Sequence, residues 1–248
     1  MKTYLSSLAM IFAAHVAMAA TTVQMTPVAD ATLYENGAGL YANSQGAGVF
    51  AGLNGGGAIR RALVRFDLSS LPADATVTNV SLKLVVTRSL SGFSDLSFHR
   101  ITAAWQEGPS NAGGSRDGTG VGSQAGDPTW MHSAYSGSLW ATPGGDFVAP
   151  ASDVMTFISG LGTYTQELSG LITDVQAWLD GTANYGWIIR GNEAENGSAK
   201  RLGSSEDSVL DRPVLTITYE SSGVVPEPQR MVLLMLGVAA IAWRRCRR

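Results

Sequence analysis

Between residues 61 and 87 the chain twice keeps a strict two-residue alternation, a period that suits strands and little else. Ala62, Val64, Phe66 and Leu68 fall on one side, Arg61, Leu63, Arg65 and Asp67 on the other. Val80, Leu82, Leu84 and Val86 repeat the pattern against Ser81, Lys83, Val85 and Thr87. Successive side chains of a strand point to opposite faces, so each segment predicts a strand with one face in a core. Runs rich in Val, Ile, Thr and Tyr predict further strands at 24–27, 31–34, 49–53, 96–102, 164–168, 186–191, 199–204 and 214–219. Glycine is frequent, 29 of 248 residues, but without a G-X-Y period, so it reads as turns and not as collagen. Ten short strands without alternating helices predict an all-β, jelly-roll-like β-sandwich. One short helix is expected where Leu171, Val175, Trp178 and Leu179 recur at helical spacing. Thr173 or Asp174 would cap it, Gly181 would close it, and it would plug one end of the sandwich.

The two ends of the chain carry different signals. Residues 1–19 combine Lys2, an apolar stretch over 8–16 and the small-x-small run Ala17, Met18, Ala19, which reads as a secretory signal peptide. Residues 231–243 are uncharged and mostly apolar, and Arg244, Arg245, Cys246, Arg247 and Arg248 follow at once. A helix of that length spans about 20 Å, short of the ~30 Å hydrocarbon core. A short anchor with its arginines held inside explains the tail. It leaves unexplained the preceding Pro226, Glu227 and Pro228. The three parts in this order resemble the PEP-CTERM sorting signal of Gram-negative bacteria. The resemblance implies an apolar sorting helix, transient membrane anchoring and cutting near Pro226-Glu227-Pro228 by an exosortase-type enzyme. Delivery to the cell surface or extracellular matrix would follow. The expected division is a signal peptide at 1–19, one domain at 20–223 and a sorting segment at 224–248.

Six of the seventeen Lys and Arg residues and one of the twenty acids lie in those ends, leaving eleven against nineteen and a net charge of about −8 over 20–223. Such a surface repels phosphate backbones, so nucleic acid is not an expected partner. The single cysteine, Cys246, lies in the tail, so the exported domain has no disulfide. At roughly 200 residues it can bury enough core without one.

Residues 107–150 hold ten glycines and no periodic pattern. So long a segment in a compact domain is usually functional or disordered, and its Trp130, Tyr135, Trp140 and Phe147 argue against disorder. Four ordered blocks span most of the domain: RALVRFDLSSLP at 61–72; RIT at 100–102 leading to WQEG at 105–108; WATPGGDF at 140–147; and NYGWII at 184–189 with SSED at 204–207 and RPVL at 212–215. Together they resemble the DNRLRE family of secreted domains, also classed among carbohydrate-binding modules. The resemblance implies a β-sandwich and binding of polysaccharides such as alginate.

Sugar binding needs flat aromatic faces and a few polar side chains. Trp130, Tyr135 and Trp140 in the long loop, with His132 and Arg116, are the expected ligand-binding residues, and Trp130 and Tyr135 are expected to dominate. Trp105, Trp178 and Trp187 are expected in the core. The negative domain favours a neutral or calcium-bridged polysaccharide over a bare polyuronate. Catalysis is not expected, because no thiol, G-x-S-x-G, H-E-x-x-H or P-loop occurs in the domain. The rival readings are a matrix or adhesion protein without a defined glycan, a hydrolase using two of Glu107, Asp127, Asp146 and Asp153, and a lyase using Tyr135, His132 and Arg116. A structural calcium is expected at an oxygen-only site where Asp30, near the first strand, meets Asp207 or Asp211, near the last.

Overall fold

The computed structural model describes residues 20–90 and 92–221. The signal peptide and the sorting segment, with its Pro226, Glu227 and Pro228 and its expected apolar helix, lie outside the described residues. In chain order the strands are β1 (Ala20–Met25), β2 (Ala29–Tyr34), β3 (Tyr41–Ala42), β4 (Gly48–Leu53), β5 (Ile59–Arg65), β6 (Thr76–Ser89) and β7 (Ser94–Arg100). There follow β8 (Val121–Gly122), β9 (Asp153–Ile158), β10 (Gly162–Glu167), the helix α1 (Leu171–Leu179), β11 (Trp187–Arg190), β12 (Lys200–Gly203) and β13 (Val214–Glu220). Each of the ten predicted segments overlaps a strand, though 24–27 meets only the end of β1. The two-residue β3 and β8 and the six-residue β9 were not among them.

Eleven strands form one curled, antiparallel sheet, and β3 pairs with β8 apart from it. The long β6 is one spine, with β13 and then β12 along one edge and β10 along the other. Strand β4 turns the corner. Its first four residues pair with β12, and Gly52 and Leu53 pair with β5. From there β5 pairs with β2 and β11, and β7 and β9 follow. At the far end Gln166 ties β10 to β9, accepting from Thr156 N at 3.1 Å and donating to Thr156 O at 2.7 Å.

The curl brings two inward faces together. Val64, Phe66, Phe98, Trp187 and Ile189 pack into one cluster with Val80, Leu82, Leu84, Leu215 and Ile217. Both alternating segments therefore bury the face their period predicts. The helix closes one end by adding Leu171, Val175 and Trp178 to this cluster. Its N-cap is Gly170, not Thr173 or Asp174. Asp174 is buried instead, where its carboxylate accepts from the Trp187 indole N–H at 2.8 Å. Gly181, at φ +102°, ends the helix, and Thr182 N donates back to Ala177 O at 2.9 Å.

The outward face of β2, β5 and β11 is also covered. Ala29, Ala31, Leu33, Leu63 and Ile188 form a second cluster with Ile101, Trp105 and Trp140. The long loop thus forms a third layer over the sheet. Its polar staples are buried: Asp127 accepts from Ser110 N at 3.1 Å, from Gln124 N at 2.6 Å and from Ser44 Oγ at 3.2 Å. Asp117 pairs with Arg88 at 3.0 Å and Arg201 at 2.6 Å, and the Tyr34 hydroxyl donates to its carbonyl. Among the described residues no helix is long and apolar enough to cross a membrane.

Candidate functional site

The loop aromatics serve the third layer. Trp140 is 5% exposed, and its indole N–H donates to Thr129 O at 2.9 Å, so it offers no face to a ligand. Its place in the expected binding set is corrected to a place in the core. Trp130 is half-buried against the same cluster, with the Arg61 guanidinium 4.9 Å over its ring. That approach needs Gly144, at φ +92°, because a Cβ there would stand 2.6 Å from the Arg61 Nη1 and 2.8 Å from Trp130. Tyr135 and His132 are half-buried and meet edge to face at 5.1 Å, and His132 Nδ1 lies 3.0 Å from Thr129 Oγ1. Arg116 sits apart on a short 3-10 turn, exposed, and no described contact joins it to Tyr135 or His132. Trp105, Trp178 and Trp187 are all buried. Asp146 and Asp153 cap backbone N–H groups of neighbouring turns.

One open depression lies where β7 and β9 meet. A depression of about 700 Å³ is lined by Phe93, Asp95, Phe157, Arg190 and Asn192, among others. Phe93 is 71% exposed and Phe157 74%. The β7–β9 register shifts between Ser94 and Leu96. Opposite that shift Phe157 stands at φ +61°, with its N–H donating to Asp95 Oδ1 at 3.1 Å. A bulky residue in the left-handed region is strained, and such strain gathers at binding and catalytic sites. Arg190 grips Glu193 through two hydrogen bonds of 2.9 and 2.6 Å, and Arg61 does so through 2.8 and 3.0 Å. Burial alone would raise the Glu193 pKa, but these two guanidinium groups hold it down at about 2. Glu193 therefore links the floor of the depression to the Arg61–Trp130 stack of the loop layer.

A second cluster gathers carboxylates from three distant segments. Asp30 on β2, Glu107 at the start of the loop and Glu206 in the turn after β12 each bring an oxygen within 4.8 Å of the others. The Asp30 N–H donates to Glu107 Oε1 at 2.8 Å, and Asp30 Oδ2 accepts from Ser205 N at 2.7 Å. Asp30 is 1% exposed, and among the described residues its Oδ1 has no hydrogen-bond partner. Burial, reinforced by Glu206, pushes Asp30 up to about 8, and burial pushes Glu107 up to about 7. Asp207 and Asp211, expected beside Asp30, are engaged elsewhere. Asp207 faces Arg201 at 3.4 Å, and Asp211 accepts from Ser208 Oγ at 2.7 Å. The residue delivered to Asp30 is Glu206.

Neither Phe93, Phe157 nor Glu206 was nominated from the sequence. In β9 Val154 and Phe157 are apolar yet outward, which cancels the alternation and hides the strand.

Residues 224–248 match the PEP-CTERM protein-sorting motif. The motif implies export and recognition by exosortase-type sorting machinery. No curated protein shows a significant match to the chain.

Proposed function

We propose that this exported protein binds a neutral polysaccharide, without catalysis, in the depression between Phe93 and Phe157. In this reading the curled sheet is a jelly-roll-like sandwich, and the protein works at the Gram-negative surface or in the matrix around it. The observation that carries the reading is the pair of exposed phenyl rings beside Asp95, Arg190 and Asn192. An aromatic face against the C–H face of a pyranose supplies burial, and the polar rim supplies partners for hydroxyls. Water does not favour two large rings left open to solvent, so their exposure suits a surface that is covered in use. The resemblance of residues 60–219 to the DNRLRE family supports a glycan ligand. The net charge of about −8 favours a neutral one.

Affinity electrophoresis of the full chain in gels containing neutral polysaccharides tests the proposal. Retardation is expected, with little dependence on salt. The double variant Phe93→Ala, Phe157→Ala should bind at least tenfold more weakly, since each stacked ring contributes on the order of 1 kcal/mol. Its melting temperature should stay within about 2 °C of the parent's, because exposed substitutions rarely cost more than ~0.5 kcal/mol. Retention that survives the double substitution moves the site elsewhere. Retardation by no polysaccharide at all leaves the matrix or adhesion reading.

A further inference from the structure

We propose that Asp30, Glu107 and Glu206 form a calcium site that fastens the start of the long loop and the turn after β12 to β2. The inference is independent of the glycan reading. Three carboxylates from residues far apart in sequence converge, and no ion pair among the described residues involves any of them. Clustered like charges repel, and Arg65 offsets only part of this at Glu107 without forming an ion pair, so the grouping favours a bound cation or proton. The deepest member carries the second observation. Asp30 is 1% exposed, yet among the described residues its Oδ1 has no partner, and a buried oxygen without a donor calls for one that a bound cation would supply.

The donor set selects the class of metal. All three side chains offer hard oxygen, with no imidazole or thiolate, which suits calcium or magnesium and not zinc or copper. Two ligands on opposite sides of a calcium ion, at about 2.4 Å each, lie about 4.8 Å apart. The three oxygens fall within 4.8 Å of one another, so a point no farther than about 2.8 Å from each exists, and a small inward shift of the exposed Glu206 brings all three within reach of calcium. Magnesium, at about 2.1 Å, needs a tighter octahedron. A mixed set of buried, half-buried and exposed carboxylates leaves the outer side free for the waters that complete a calcium shell. The high pKa values of Asp30 and Glu107 agree with this: without a cation the pocket opposes their ionisation.

The test uses the full chain in mild detergent, stripped with EDTA and confirmed metal-free by elemental analysis. Calcium chloride titrated into it should give saturable heat for one ion. At a hundredfold excess over the dissociation constant the melting temperature should rise by about 5–10 °C. Glu206→Gln, at an exposed position, should weaken calcium at least tenfold. Asp30→Asn should behave in two opposite ways. In EDTA it should melt no lower than the parent, because the new amide can accept from Ser205 N and donate to a neighbouring carboxylate. In calcium it should lose the rise. No heat and no rise with calcium in the metal-free protein would overturn the site. Parent-like calcium binding by both variants would place the ion elsewhere and overturn it equally, and an equal rise with magnesium would overturn the choice of calcium.

Discussion

Two pairs of aromatic rings outside the main core are treated oppositely by the fold. Trp130 and Trp140 in the long loop look available in sequence, yet they pack onto the outward face of β2, β5 and β11. Phe93 and Phe157 sit in or beside strands, where a core role is the default, yet both face solvent. The difference lies in what stands opposite each ring. Leu33, Leu63 and Ile188 give the loop tryptophans an apolar floor. The depression gives the phenylalanines Asp95, Arg190 and Asn192, which cannot serve as a core. What a ring faces, and not whether it lies in a loop, therefore decides whether it is left open to solvent.

The strongest way to break this comparison is Trp140→Ala. Truncating a buried tryptophan of the second cluster should cost about 3–5 kcal/mol, a fall of roughly 6–20 °C in melting temperature. Below the new transition, retardation in the polysaccharide gels should persist, because the depression lies on the β7–β9 side. A melting temperature within 2 °C of the parent would mean that the loop layer contributes little, and that Trp140 is after all free for another role.

Much of the architecture is legible in the residues because strict alternation has one physical reading. Ala62 to Leu68 and Val80 to Val86 announce their inward faces, and Leu171, Val175 and Trp178 announce the helix stripe. The third layer has a fainter trace. Leu63 lies on the polar side of its strand, and a leucine there signals a second apolar surface. Two features leave no local mark. Which acid of Glu206, Asp207 and Asp211 reaches Asp30 depends on how the turn after β12 is wound, and no spacing rule encodes that. The depression escapes because the outward Val154 and Phe157 cancel the alternation that would have revealed β9.

A smaller effect tests the bond between the two regions. Glu193 holds Arg190 of the depression and Arg61 of the loop layer at once. Its native pKa of about 2 lies below the 4.5 of an unperturbed glutamate, so the native state prefers it ionised. That stabilisation is complete above about pH 4.5 and is lost as pH falls towards 2. Glu193→Gln should therefore lower the melting temperature at pH 7 by about 2–4 °C, the effect of ~1 kcal/mol for a partly exposed network. The gap between variant and parent should close as pH approaches 2. A gap that stays constant across this range would show that the carboxylate charge does not couple the two regions.

The smallest effect concerns Phe157 itself, and its sign matters more than its size. A phenylalanine at φ +61° is held in a conformation that Asn adopts more readily, because a short polar side chain tolerates the left-handed region. The ring is 74% exposed, so removing it forfeits little packing. Phe157→Asn should then leave the protein slightly more stable, by up to about 1 kcal/mol or 2–4 °C, while weakening retention in the polysaccharide gels. A residue that strains the backbone, gains little burial and supports binding would be retained for the ligand and not for the fold. Thermal melts of the variant beside the parent decide the point. A fall of several degrees would show that the ring is packed in solution, and the contrast between buried tryptophans and open phenylalanines would then lose its sharper half.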